Sequence, residues 1–116
     1  MVLPESDVKG ILGFVTEPAR NETQTLSTTS ATIAEQRIAL QPRKLIVVRN
    51  LADPVTDPTN VVTVNMGGSP AVANEGIVLR AGESFADSTS EGYQAWQGVI
   101  TAIAAAGTPT ISIFER

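Results

Sequence analysis

Acidic side chains in the second half of the chain have the most obvious capacity for chemistry. Glu83 and Asp87 lie close together, and Glu75 and Glu91 flank them. Two carboxylates at a suitable separation can catalyse glycoside hydrolysis. The aromatic residues near enough to hold a sugar are few: Phe85, Tyr93 and Trp96. Because these acids stand in polar, turn-rich segments, we interpret them as solvated loop residues and predict that the protein is not an enzyme.

The residue types that are missing exclude several kinds of site. The sequence contains no Cys and no His. Nucleophilic systems that pair Cys or Ser with His are therefore impossible within one chain, as are disulfides and zinc sites of thiolate or imidazole type. The stretch "DPVTDPTN" lacks the ligand pattern of a calcium loop, and "MGGSP" and "AGES" lack the Lys and the helix of a phosphate cradle. We predict no catalytic residues, no cofactor and no metal site.

Length and composition describe one small globular unit. The chain has 116 residues, of which 42% are hydrophobic and 17% charged. A net charge of −4 argues against a nucleic-acid partner. No apolar run approaches the roughly 20 residues of a membrane span, and the first residues, "MVLPESDVKG", lack the pattern of a signal peptide. We expect no membrane association, and a product that stays, or assembles, in the cytoplasm where it is made.

The first 30 residues differ from the rest of the chain. They are rich in Thr and Ser, and Gly10 to Val15 is their one apolar cluster. This region is either a poorly ordered terminus or an arm that becomes ordered on a partner. We predict an extended N-terminal arm over 1–30 and a β-sandwich domain over 31–116. The anchor of the arm would be four apolar residues: Ile11, Leu12, Phe14 and Val15.

From Ala31 onward the sequence predicts short strands separated by turns. The first predicted strand runs from Ala31 to Leu40, with Ile38 and Leu40 on one face. Further β-prone runs are Arg43 to Asn50, which is apolar on both faces, the short Ile77 to Leu79, and two runs in which the faces alternate, Val61 to Met66 and Thr108 to Arg116. Segments rich in Gly, Pro and polar residues predict loops at Leu51 to Asn60, Gly67 to Gly76 and Ala86 to Gly92.

The segment "AWQGVITAIAAAG" is ambiguous. Trp96, Val99, Ile100 and Ile103 have helical spacing, but Gly98 and the β-branched run favour a strand, which we prefer. Together these elements predict an all-β fold, namely a small antiparallel β-sandwich or barrel of about six to eight strands.

Charged and aromatic residues offer two candidate interfaces. Arg43, Lys44 and Arg49 flank the clearest strand. They either guard that apolar segment against aggregation or meet acidic groups on a neighbouring subunit. Tyr93 and Trp96 are either core residues or, if exposed, anchors of an interface.

The order of the strands and turns resembles small structural proteins of tailed-bacteriophage virions. Four stretches carry the resemblance: "RKLIVVRNLADP", "VVTVNMGG", "EGIVLRAGESF" and "AWQGVITAIAAAGTPTISIFE". Such families often have an Arg-flanked strand that ends in Asn, a strand with a short Gly turn, "GI-x-L-x-aGe", "W-x-G-x-I-x-A-I" and a final strand. The matching residues here are Arg43, Asn50, Gly67, Gly68, Gly76, Ile77, Leu79, Gly82, Glu83, Trp96, Gly98, Ile100, Ala102 and Ile103.

This resemblance covers roughly Arg37 to Glu115 and implies a β-sandwich that functions in assembly. We expect a capsid decoration (cement) protein on the virion surface. Its expected partners are the major capsid protein and other copies of itself, as a homo-oligomer and specifically a trimer. One alternative is a head-fibre, neck or tail-associated protein. Another is a carbohydrate-binding module, which requires Trp96 or Tyr93 to be exposed beside Asp87 or Glu91.

Overall fold

The computed structural model describes residues 19–116, and within that range the chain forms eight β-strands and no helix. In chain order the strands are β1 Arg20–Thr25, β2 Ala31–Ala34, β3 Leu45–Asn50, β4 Val62–Asn65, β5 Ile77–Leu79, β6 Ser84–Ser88, β7 Ile100–Ala104 and β8 Thr110–Glu115.

The strands form two four-stranded sheets. The first sheet has the order β1-β8-β3-β6 and the second has the order β2-β7-β4-β5, and all pairs are antiparallel. The all-β prediction is thus confirmed, and the arrangement is a sandwich rather than a closed barrel.

Alternation along the strands supplies the core. In β3 the side chains of Ile46 and Val48 are fully buried, whereas Arg49 between Val48 and Asn50 is exposed. Both sheets contribute to one hydrophobic cluster, so their inner faces pack against each other. Its largest members are Leu26, Ile33, Ile46, Val48, Val62, Val64, Leu79, Ile100, Ile111 and Ile113. Complete burial of each such side chain contributes about 1.5–3 kcal/mol.

Two strands lie where the sequence predicted other structure. Strand β1 falls inside the range predicted as the arm, yet all six of its residues pair with β8, and Leu26 after it is buried. The sandwich therefore begins before the predicted boundary at Ala31. Strand β6 includes Ala86, Asp87 and Ser88, which were predicted as loop. Neither strand has alternating apolar residues: β1 is polar throughout, and β6 contributes only Phe85 as a large apolar side chain against the core. Backbone pairing with β8 and β3 therefore does most to hold them in place.

The end of β2 and the beginning of β7 differ from the predicted bounds of these strands. The strand predicted from Ala31 to Leu40 ends at Ala34, and Ile38 and Leu40 are 61% and 75% exposed in a turn closed by the Gln41 N–H and the Ile38 carbonyl. The ambiguous segment contains β7, which confirms the preference for a strand, but Trp96 lies before it in a loop.

Glycines at both ends of β5 allow its sharp connections. Gly76 has φ of 136°, and a Cβ there would lie 2.8 Å from the Val64 carbonyl oxygen. Gly82 has φ of 83° in the turn that joins β5 to β6. Both angles are ones that other residues rarely adopt, so these positions require glycine.

Candidate interaction surface

One end of the sandwich gathers most of the residues that the sequence singled out. The register places Arg20 and Ile46 opposite Glu115, and Leu45 opposite Ser88. One end of the first sheet therefore contains the first residue of β1, the start of β3 and the last residues of β6 and β8. The loops 35–44 and 89–99 leave from this end. We call it the Trp96 end.

A buried carboxylate positions the two aromatic residues of this end. Asp87 is only 8% exposed. Its Oδ1 accepts a hydrogen bond from the Tyr93 hydroxyl at 2.6 Å, and its Oδ2 accepts one from the Trp96 backbone N–H at 2.8 Å. Tyr93 and Trp96 themselves are 50% and 36% exposed. Asp87 therefore acts as a positioning residue that presents both aromatic rings to solvent.

The indole of Trp96 is held by its own loop. Its Nε1 donates a hydrogen bond to the Val99 carbonyl at 3.1 Å. The ring packs on Gly98 so closely that a Cβ there would lie 2.5 Å from Cζ2. A ring fixed in this way has little rotamer freedom to lose when a partner binds. The absence of a side chain at residue 98 is therefore what allows this ring position.

Arg43 lies beneath this surface and not on it. Its side chain is fully buried, and its Nε donates to Glu115 Oε2 at 2.6 Å. Arg20 Nε and Arg37 Nη2 lie 3.0 and 3.4 Å from the other carboxylate oxygen. The Arg20 N–H is not aimed at that oxygen well enough to make a hydrogen bond. Arg43 cannot contact a neighbouring subunit, so its prediction as an interface residue is wrong.

The remaining donors of Arg43 fix the aromatic loop. Its guanidinium donates to the backbone carbonyls of Trp96 and Gly98, the latter at 3.2 Å, and to that of Glu35 at 2.7 Å. The side chain of Gln97 accepts from the Arg43 N–H at 2.6 Å and donates to the Arg43 carbonyl at 2.8 Å. A buried cation thus holds the loops 35–44 and 89–99 together at the Trp96 end.

Two pKa values at this end are displaced. Burial raises the pKa of the Glu115 carboxyl, but the hydrogen bond from Arg43 and the charges of Arg37, Arg43 and Arg20 outweigh burial, so the pKa is lowered. The hydrogen bond to Asp87 raises the pKa of the Tyr93 phenol, with smaller contributions from desolvation and from the Asp87 charge. Both displacements follow from buried carboxylates that hold fixed partners.

The other predicted interface residues do not form one cluster. Lys44 is exposed near the Trp96 end, whereas Arg49 is exposed at the other end of β3, where it pairs with Ser84. The arm residues Ile11, Leu12, Phe14 and Val15 lie outside the described residues.

Sequence reasoning missed two exposed apolar residues, Ile38 and Leu40, which it placed in a strand. The Arg37 N–H donates to the Gln97 carbonyl at 2.7 Å. Ile38 and Trp96 are the chain neighbours of this bonded pair, so the two loops bring aliphatic and aromatic side chains to the same end. Pro42 marks only the end of this segment, so the sequence offered no local signal that the strand would stop at Ala34.

Residues 19–116 contain no group of three or more acidic side chains that could hold a metal ion, and no helix in that range could cross a membrane. Their most developed feature is a rigid, partly apolar surface at the Trp96 end. No protein-family model matches the sequence, and a search of curated proteins finds no match.

Proposed function

We propose that this chain is a structural protein of a tailed-phage virion that binds the outer capsid surface as a decoration protein. The observation that carries the proposal is the Trp96 end. There, two aromatic residues are fixed in exposed positions by buried Asp87 and buried Arg43. Exposed, preorganised Trp and Tyr side chains are typical anchors of protein interfaces.

The N-terminal segment supports the same proposal. It joins the sandwich at Arg20, whose side chain contacts Glu115 at the Trp96 end. Four residues separate its apolar run, Gly10 to Val15, from Arg20, so the run is attached to the sandwich at the end that presents Tyr93 and Trp96. A segment and a surface at one end of the molecule would bind a capsid as two linked contacts. Linked contacts raise overall affinity well above that of either one.

The resemblance of the strand and turn pattern gives the proposal its virion context, and the eight-stranded sandwich agrees with the fold that the resemblance implies. The residues carried over from it include Asn50, whose buried side chain donates to the Asn60 and Leu79 carbonyls at 2.7 and 3.1 Å. This residue, like Gly76 and Gly82, is structural.

The test is to add purified protein to particles that lack it and to count bound copies. Copies on the whole shell are expected, whereas a few copies at one vertex would place the protein in the neck, tail or head fibres. Trp96→Ala and Tyr93→Ala should each reduce binding. The arm is tested by removing residues 2–18, because a longer deletion would remove β1 and Leu26 and damage the fold. Unchanged binding of all three variants would contradict the proposal.

A second candidate function is binding of a neutral glycan at Tyr93 and Trp96. The specific observation in its favour is that both rings are exposed next to Asp87, with exposed Glu91 and Gln94 in the same loop. The acidic groups there disfavour an anionic sugar. Retardation in gels containing neutral polysaccharides, lost in Trp96→Ala, would support this function, and its failure would leave the capsid as the target.

A further inference from the structure

Each sheet of the sandwich has two edge strands, and three of the four edges are protected. Strands β1 and β2 cover each other, since Arg20 Nη2 donates to the Ile33 carbonyl at 2.8 Å and Gln24 Nε2 to the Thr32 carbonyl at 3.3 Å. Strand β2 also has a register shift between Thr32 and Ala34. Strand β5 has only three residues. Short strands, irregularities and covering side chains are the usual means of preventing further pairing at a sheet edge.

The fourth edge, β6, lacks these features. It has five residues in regular register with β3. Its exposed side chains are those of Ser84, Ala86 and Ser88, which are small and uncharged. No Pro or Lys interrupts the strand, although these residues commonly protect edges. Its one charged residue, Asp87, points inward, where it is bonded to Tyr93 and Trp96, and its outward backbone groups stay uncovered. Of the edges in the described part of the chain, β6 is therefore the one suited to accept another strand.

The hydrogen-bond pattern identifies which backbone groups of β6 are available. The Thr89 N–H bonds to the Lys44 carbonyl at 2.8 Å, and the Asn50 N–H bonds to the Glu83 carbonyl at 2.9 Å. Bonded pairs alternate in an antiparallel ladder, so Phe85 and Asp87 also bond to β3. The N–H and C=O groups of the three residues between them point away from the sheet, and none has a partner within residues 19–116: Ser84, Ala86 and Ser88.

The N-terminal segment has a composition suited to a strand that could pair with the free edge of β6. Gly10 to Val15, "GILGFV", is uncharged and contains Ile, Phe and Val, which favour strands. It enters the sandwich through β1, at the edge opposite β6 in the same sheet. An arm that leaves one edge and an acceptor at the opposite edge suit a head-to-tail contact between copies. Repetition of such a contact can close into a ring.

We propose that Gly10 to Val15 of one copy pairs with β6 of a neighbouring copy and adds a fifth strand to its first sheet. The acceptor groups are the outward backbone groups of Ser84, Ala86 and Ser88. Strand addition of this kind gives affinity through main-chain hydrogen bonds. This inference rests on the proposed function and deepens it, because it names the contact by which copies would assemble before they bind a capsid. It assigns Gly10 to Val15 to the contact between copies, so in the oligomer the linked contacts with the capsid are the Trp96 ends of the several copies.

Ala86→Pro tests the acceptor strand in the full-length protein. Proline removes the outward N–H of residue 86 but leaves the ladder to β3 intact, because that N–H does not bond to β3. Ala86→Thr is the matched control, since it keeps the N–H in a residue that favours strands. Sedimentation velocity should find oligomers for the native chain and for Ala86→Thr. Association should be weakened about tenfold or more in Ala86→Pro.

The double substitution Phe14→Asp, Val15→Asp tests whether the segment that pairs with β6 is Gly10 to Val15. Neighbouring residues of a strand face opposite sides, so one of the two charges must face the sandwich. The double variant should be monomeric. If it still assembles while Ala86→Pro does not, β6 pairs with something other than this segment, and the proposal is overturned. A monomeric native chain, or an Ala86→Pro variant that is folded and assembles normally, would also overturn it.

If Ala86→Pro fails to fold, hydrogen exchange of the backbone amides tests the same contact without that variant. In the native oligomer the N–H groups of Ser84, Ala86 and Ser88 should exchange slowly, and they should become fast in the Phe14→Asp, Val15→Asp variant. Fast exchange at all three positions in the native chain would refute strand addition. Because these measurements use no capsid, their failure would leave the proposed capsid binding untouched, and failure of capsid binding would leave the oligomer intact.

Discussion

Arg43→Met is the substitution that most directly tests how the Trp96 end is held together. The change removes a fully buried cation and keeps most of the volume of its aliphatic stem. It breaks the 2.6 Å contact with Glu115 and leaves the Glu35 and Gly98 carbonyls without their donor. We expect the free energy of unfolding to fall and the loop that carries Trp96 to loosen.

The magnitude follows from the partners that remain. Removal of one member of a buried ion pair typically costs about 3–5 kcal/mol. Here Arg20 and Arg37 still lie 3.0 and 3.4 Å from Glu115, which favours the lower end of that range. Loss of the bonds to backbone carbonyls adds about 1 kcal/mol each. With about 3 kcal/mol for the ion pair and about 1 kcal/mol for each of the Glu35, Trp96 and Gly98 carbonyls, a total near 6 kcal/mol is expected, a large part of the roughly 5–15 kcal/mol that stabilises a typical domain.

Urea unfolding followed by Trp96 fluorescence, with circular dichroism as a second probe, measures the change. Arg37→Met is the matched control, since the Arg37 side chain is 24% exposed and Glu115 keeps its other partners. Its expected effect is about 1 kcal/mol or less. A loss below about 1 kcal/mol for Arg43→Met as well would refute the argument that this buried cation holds the two loops.

Three further outcomes follow from the same end of the molecule. The folded-state pKa of Glu115 lies below the ordinary value of 4.5, so its ionised form stabilises the fold above pH 4.5, and this contribution is lost as the pH falls through the folded-state pKa. In Glu115→Gln the free energy of unfolding should therefore fall less steeply with decreasing pH in the acid range. An unchanged acid dependence would contradict this. The pKa of Tyr93, the only tyrosine, should fall towards 10.0 in Asp87→Asn when tyrosinate absorbance is titrated, and an unaltered titration would exclude the Asp87 contact as the cause. Gly98→Ala should push the indole of Trp96 off the loop and increase its quenching by acrylamide, whereas native quenching would mean that the backbone yields instead.

The predicted strands that the structure confirms are those in which burial alone decides the conformation. Val62 and Val64, or Ile111 and Ile113, alternate with other residues, and such a pattern can bury one face only as a strand. Strands β1 and β6 lack this signal, because "RNETQT" is polar and "SFADS" has a single large apolar residue, Phe85. They are strands because β8 and β3 present open backbone groups beside them, which no local pattern reveals.

The sequence by itself determined the all-β class, the composition of the core and the exclusion of Cys and His chemistry, since these depend on residue type and spacing. Only the tertiary structure decided the surface. It buried Arg43, which the sequence placed at an interface, and it exposed Ile38 and Leu40, which the sequence placed in a strand. The reason is that an arginine can be buried only where a carboxylate and several carbonyls converge. Here those groups come from three separate segments of the chain, at Glu35, at Trp96 and Gly98, and at Glu115.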